Sequence, residues 1–160
     1  MSIAVGSHVP EATFTHMGPQ GPVPITTAEV FGRKKVVLFS VPGAFTPTCS
    51  KKHLPGYLRE ADAIKAKGVN TIACMAVNDV FVMDAWAKAA GAADKVLMLA
   101  DGNAEFTKKL GLEMDASKHG MGLRSKRFSM IVVDGVVREL NVEAPGEFNI
   151  SSAEATACQL

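Results

Sequence analysis

The sequence predicts an α/β fold, with a central mixed β-sheet flanked by helices. Three observations carry that expectation. Val36–Val41 and Thr71–Val77 are apolar runs rich in β-branched residues, the pattern of strands buried on both faces. Each is followed by turn residues and then by apolar residues at helical spacing, so strand and helix alternate. Asp134-Gly135 separates two further apolar runs, and that dipeptide favours the tight turn of a closing hairpin.

The elements follow in order. Residues 1–24 carry Gly6, Pro10, Gly18, Pro19, Gly21, Pro22 and Pro24 around Ala12–Met17, which predicts an N-terminal β-hairpin at a sheet edge, where proline is tolerated. Thr26-x-x-Glu29 is a capping box that starts a one-turn helix ending near Gly32. The central strand comes next, then the turn Pro42-Gly43. Leu54, Tyr57, Leu58, Ala61 and Ile64 are spaced as a helix with Gly68 beyond its end and a kink at Pro55. The 71–77 strand leads into Asn78-Asp79, which caps a helix over Val80–Ala90 closed by Gly91. A strand over Val96–Ala100 and a helix over Asn103–Leu110 follow, and residues 112–126 read as a glycine-containing basic loop. Phe128–Val133 and Val136–Val142 form the hairpin, and Ser151-x-x-Glu154 starts a last helix.

Composition narrows the function class. The 160 residues are expected to fold as one domain, 1–160, and 48% hydrophobic content supplies its core. A net charge of +1 gives no bulk field for nucleic acid or a membrane surface. Three widely spaced cysteines match neither a disulfide framework nor a zinc site, which points to a reducing compartment. With no leader segment and no membrane-length apolar run, the expected location is cytoplasmic.

One stretch carries chemistry. Thr46 and Pro47 read as N-cap and first residue of a helix, which puts Cys49 in its first turn. There the unpaired backbone N–H groups and the positive end of the helix dipole favour a thiolate. A buried structural cysteine is the alternative reading of the same pattern. His53 lies four residues on and could tune the thiol, although the helix pattern alone favours an exposed side chain. His8, His16 and His119 show no ligand spacing, and Trp86 and Phe81 sit at helical spacing and read as core.

Pro42-Gly43-Ala44-Phe45-Thr46-Pro47-Thr48-Cys49 resembles the Pro-x-x-x-Thr-x-x-Cys signature of the peroxiredoxins. Val77-Asn78-Asp79-Val80-Phe81 with Trp86, and Gly122–Met130, look like the type II (type-five) subfamily. The resemblance implies a thioredoxin-like fold, Thr46 and Cys49 standing where thioredoxin has Cys-x-x-Cys. It implies a thiol-dependent peroxidase acting on hydrogen peroxide and alkyl hydroperoxides. Cys49 matches the peroxidatic nucleophile, which passes through a sulfenic acid, and Thr46 matches the residue that orients the peroxide. Pro42 matches the proline shielding the pocket, and Arg127 the arginine that holds thiolate and peroxide. Lys126 suits that last role less well, and Arg124 is a supporting basic group.

The reducing half of the cycle is less determined. Cys74 matches a cysteine assigned as resolving in plant-type members, and simple core is an equal reading. After Leu140-Asn141-Val142-Glu143, where animal-type members carry their resolving cysteine, this chain has Ser151 and Ser152. Cys158 lies outside the family pattern. The favoured cycle uses one cysteine, regenerated by glutathione or glutaredoxin, with thioredoxin as the other candidate reductant. No metal, haem or flavin is expected, and the subfamily commonly forms homodimers, so the resemblance makes a dimer face the other reading of Trp86 and Phe81. A peroxide sensor or relay passing oxidation to a partner is the alternative function. A disulfide oxidoreductase is disfavoured by the absence of Cys-x-x-Cys.

Overall fold

The computed structural model describes residues 2–160. Its chain runs through β1 (Thr13–Gly18), β2 (Gly21–Thr26), α1 (Thr27–Phe31) and β3 (Lys35–Ser40), then a π-helical turn at Cys49–His53. Next come α2 (Leu54–Ala66), β4 (Thr71–Ala76), α3 (Val80–Ala90), β5 (Leu97–Ala100) and α4 (Glu105–Leu110). The remainder is β6 (Glu113–Asp115), β7 (Leu123–Ser125), β8 (Phe128–Val133), β9 (Val136–Val142) and α5 (Ala153–Ala157). The seven strands of the main sheet lie in the order β2-β1-β5-β4-β3-β8-β9. The pairs β3–β4 and β4–β5 are parallel, and the outer pairs are antiparallel, so the sheet is mixed as expected.

Alternation along β3 explains why the sheet needs helices on both sides. Val37 and Phe39 face one core with Tyr57 and Ile64 of α2, Trp86 of α3 and Ala153 of α5. Val36 and Leu38 face the other, with Phe31 of α1 and Phe106 and Leu110 of α4. Prolines 22 and 24 lie on β2, the outermost strand, where a missing N–H breaks no central ladder. The Thr26 capping box forms, and Asp134 (φ 47°) and Gly135 (φ 78°) make the expected tight turn.

The structure departs from the sequence reading at several element ends and in one connecting segment. Residues 112–126 contain a small ribbon, β6 paired with β7, rather than an open loop. The helix expected from Asn103 starts at Glu105, where the side chain of Asp101, just upstream, accepts from the N–H groups of Phe106 and Thr107. The last helix is capped by Ser152, while Ser151 turns inward and is buried. Thr46 does not cap through its side chain; its hydroxyl donates to the Gly43 carbonyl at 2.7 Å. The kink foreseen at Pro55 takes the form of the π-turn, in which the Leu54 N–H reaches back to the Cys49 carbonyl. Proline has no N–H to continue the α-helical ladder there.

Candidate active site

The site forms where β3 hands over to the helix. Beyond Val41 the chain turns sharply, and the Asn78 side chain accepts from the Ala44 N–H at 2.9 Å. Phe45 takes a left-handed conformation, φ 63°, uncommon for a bulky residue, and stays 54% exposed. A Cβ on Gly43 would meet Arg124 Nη1 at 3.0 Å and both Met121 Cε and Thr46 Cγ2 at 3.2 Å. Glycine therefore lets the turn close against those three side chains. Pro47 opens the helix and Cys49 sits in its first turn, as the sequence indicates. Its neighbour Ser50 accepts from the indole N–H of Trp86 at 3.0 Å; Trp86 is buried in the core, whereas Phe81 is 65% exposed.

Two segments distant in sequence complete the site. Arg127 stands just before β8, and its Nη2 donates to Cys49 Sγ at 3.0 Å. Its Nη1 donates to His53 Nδ1 at 2.8 Å. His53 is fully buried, against the exposed position favoured by the helix pattern. The reason is visible in retrospect: His53 extends the inward stripe Tyr57, Ala61 and Ile64 by one turn. Its Nε2 meets the Ser151 carbonyl at 3.0 Å. Arginine can only donate and a carbonyl can only accept, so the ring is neutral, with its proton on Nε2. Burial first, then the charge of Arg127, pushes the His53 pKa down to about 3.

The other half of the wall is the segment after β9. Glu143 is buried, and its Oε2 accepts from the N–H of Asn149 (2.7 Å), the N–H of Ser151 (2.8 Å) and the Ser151 hydroxyl (2.7 Å). This closes residues 143–151 into a strap whose Phe148 ring packs on His53 and lies 5.8 Å from the Arg127 guanidinium carbon. A cavity of about 180 Å³ opens between the strap and the turn, lined by Pro42, Thr48, Met114, Lys126, Arg127 and Pro145 among others.

The structure thus brings Cys49 and Arg127 into contact and sets Pro42 and Thr46 in the adjacent turn. Arg124 does not touch the thiol; it donates to the carbonyls of Met121 (2.9 Å) and Pro42 (3.3 Å), bracing that turn. Cys74 is fully buried mid-strand opposite Phe39, in the same core cluster as Cys49, and burial pushes its thiol pKa well up. Cys158 is exposed near the chain end. Ser151, Glu143 and Phe148 are site residues that the sequence pattern did not mark; His53, marked as a possible tuner of the thiol, meets it through Arg127. No cluster of three or more metal-ligating side chains occurs among the described residues.

The Redoxin family matches residues 4–156. The chain is 48% identical over 157 residues to "Peroxiredoxin-2E, chloroplastic" of Arabidopsis thaliana, covering 96% of this chain and 67% of that protein. It is 46% identical over 153 residues to Peroxiredoxin-2B of the same plant, covering 95% and 94%. Among solved structures, reduced Prx3 in complex with H2O2 from Vibrio vulnificus superposes with a TM-score of 0.95 at 55% identity, covering 98% of each chain.

Proposed function

The chain belongs to the peroxiredoxins of the redoxin family, thiol-dependent peroxidases with a thioredoxin-like fold, and on that premise we propose that Cys49 is its peroxidatic nucleophile. The observation that carries the assignment is the 3.0 Å contact from Arg127 Nη2 to Cys49 Sγ. A fixed cation beside a thiol at a helix start favours the thiolate, the reactive form. The thiolate attacks one peroxide oxygen. An S–O bond forms, the O–O bond breaks, and the departing oxygen takes a proton to leave as water or an alcohol. Arg127 stabilises the charge that develops on that oxygen, Thr46 orients the peroxide, and Pro42 shields the pocket beside the cavity.

The product is a Cys49 sulfenic acid, two electrons more oxidised than the thiol. We propose that an external thiol restores it, glutathione or glutaredoxin ahead of thioredoxin. That thiol forms an S–S bond to Cys49 and water leaves; a second thiol then releases Cys49. Electrons come from thiols, with no bound cofactor in the cycle. The state of Cys74 supports this reading: a buried, protonated thiol held in a central strand is a poor resolving nucleophile. The three free thiols suit a reducing, cytoplasmic setting, and no helix among the described residues is long and apolar enough to cross a membrane.

The test is intact mass after one equivalent of hydrogen peroxide, followed by glutathione. The expected result is one oxygen gained at Cys49, then a mixed disulfide at Cys49. Loss of two hydrogens with a Cys49–Cys74 or Cys49–Cys158 peptide would replace the one-cysteine cycle by an internal one. In steady state, Cys49→Ser is expected to be inactive, and Arg127→Lys to lose about 10²-fold, as for removal of a transition-state donor. Full activity in Cys49→Ser would remove the assignment altogether.

A further inference from the structure

We propose that His53 is a positioning residue for the peroxidase reaction: its Nδ1 holds the Arg127 guanidinium in the one orientation that aims Nη2 at Cys49. The inference rests on Cys49 and Arg127 acting as assigned above. An arginine side chain is long, and a single contact to sulfur leaves its plane free to rotate. Here the plane is fixed at two points, Nη2 on Sγ at 3.0 Å and Nη1 on His53 Nδ1 at 2.8 Å. The second point is itself fixed. Nε2–H donates to the Ser151 carbonyl, which also accepts from the Tyr57 hydroxyl at 2.9 Å, and Ser151 is tied by its N–H and hydroxyl to the Glu143 carboxylate.

The imidazole is enclosed by the rings of Phe39, Tyr57 and Phe148, with centroids at 4.9, 5.6 and 4.9 Å. Water is thereby kept from competing for Nδ1. The charged or titratable groups around the ring are Arg127, Tyr57 and, through Ser151, Glu143. A neutral acceptor is what this place requires. A carboxylate in the same position would divide the guanidinium charge between two anions and weaken its hold on the thiolate. A protonated imidazole would repel Arg127 outright.

Two isosteric substitutions separate positioning from mere support. The side-chain oxygen of Asn occupies roughly the place of Nδ1, whereas the terminal amide of Gln occupies that of Nε2. His53→Asn keeps the acceptor for Arg127 and loses the Ser151 contact; His53→Gln does the reverse. The readouts are the rate constant for Cys49 oxidation by hydrogen peroxide and its rescue by the conservative variant. His53→Gln is expected to slow oxidation about tenfold at neutral pH. His53→Asn is expected to restore it to within about threefold of the parent. Equal loss in both variants, or loss in Asn alone, would make His53 a support for the strap and overturn the proposal. If neither variant folds, nitrogen NMR of the parent protein decides. A bare Nδ1 and a protonated Nε2 at neutral pH are expected, and the opposite tautomer would overturn it. A parent protein that reduces no peroxide would instead overturn the peroxidase reading, leaving the tautomer result untouched.

Discussion

A guanidinium suits the place of Arg127 because its donors lie in a rigid plane and its charge is permanent. Lysine offers a point charge that could reach either Cys49 or His53, but it cannot fix the angle between them. The neighbouring histidine shows the cost of that arrangement. Its pKa falls from the ordinary 6.5 to about 3, because burial and Arg127 both oppose a second cation. The unfolded chain takes up a proton near 6.5 that the folded chain refuses until about 3. His53 therefore makes stability full above 6.5 and drains it as pH falls through that window, by about 1.4 kcal/mol per pH unit. Urea unfolding at a series of pH values is expected to show a shallower acid decline for His53→Asn than for the parent. Parallel declines would mean that the buried ring does not carry the linkage. This residue also marks the limit of pattern reading. The i+4 spacing from Cys49 is plain in the sequence, but the partners that make burial of an imidazole tolerable, Arg127 and Ser151, lie far along the chain.

At the scale of elements, legibility followed the range of the forces. The Thr26 capping box, the Asp79 cap of α3 and the Asp134-Gly135 turn are local devices, and each appears where its residues stand. Asp101 is local too, but it reaches past the usual cap spacing to the N–H groups five and six residues on, and the strap after β9 depends on Glu143 reaching eight residues to Ser151, spacings that no capping pattern marks. The strap makes its own prediction. Glu143 accepts three hydrogen bonds through one oxygen, and charge-assisted bonds of this kind are the stronger ones. Glu143→Gln removes the charge and places an amide donor among donors, at a cost of about 2 kcal/mol. Hydrogen exchange is the measurement. Amides of residues 144–151 are expected to exchange faster, while those of β3 and β4 keep their protection. Uniform acceleration across the sheet would show that the strap is not a separate unit.

The molecule as a whole was the most legible level, because two-sided burial of β3 and β4 leaves few arrangements open. Strands buried along both faces need helices on both sides, and the closing hairpin extends the sheet beside β3 while the N-terminal hairpin takes the other edge at β5. What stays outside is informative too. Phe81 is 65% exposed on α3 and Phe45 is 54% exposed at the catalytic turn, and Asn78 ties that turn to the loop entering α3. Phe45 is held outward by a left-handed backbone rather than folded into the core. We propose that these rings belong to the face of a homodimer, whose formation would remove both from water and shelter the turn beside Cys49. A carboxylate buried in such a face without a partner opposes association strongly. Sedimentation is expected to give a dimer for the parent and a monomer for Phe81→Asp, with Cys49 oxidation still within about threefold because the ring touches no reacting group. A parent protein that sediments as a monomer at micromolar concentration would leave those two aromatics without this explanation, and a Phe81→Asp variant that remains dimeric would move the interface to another face.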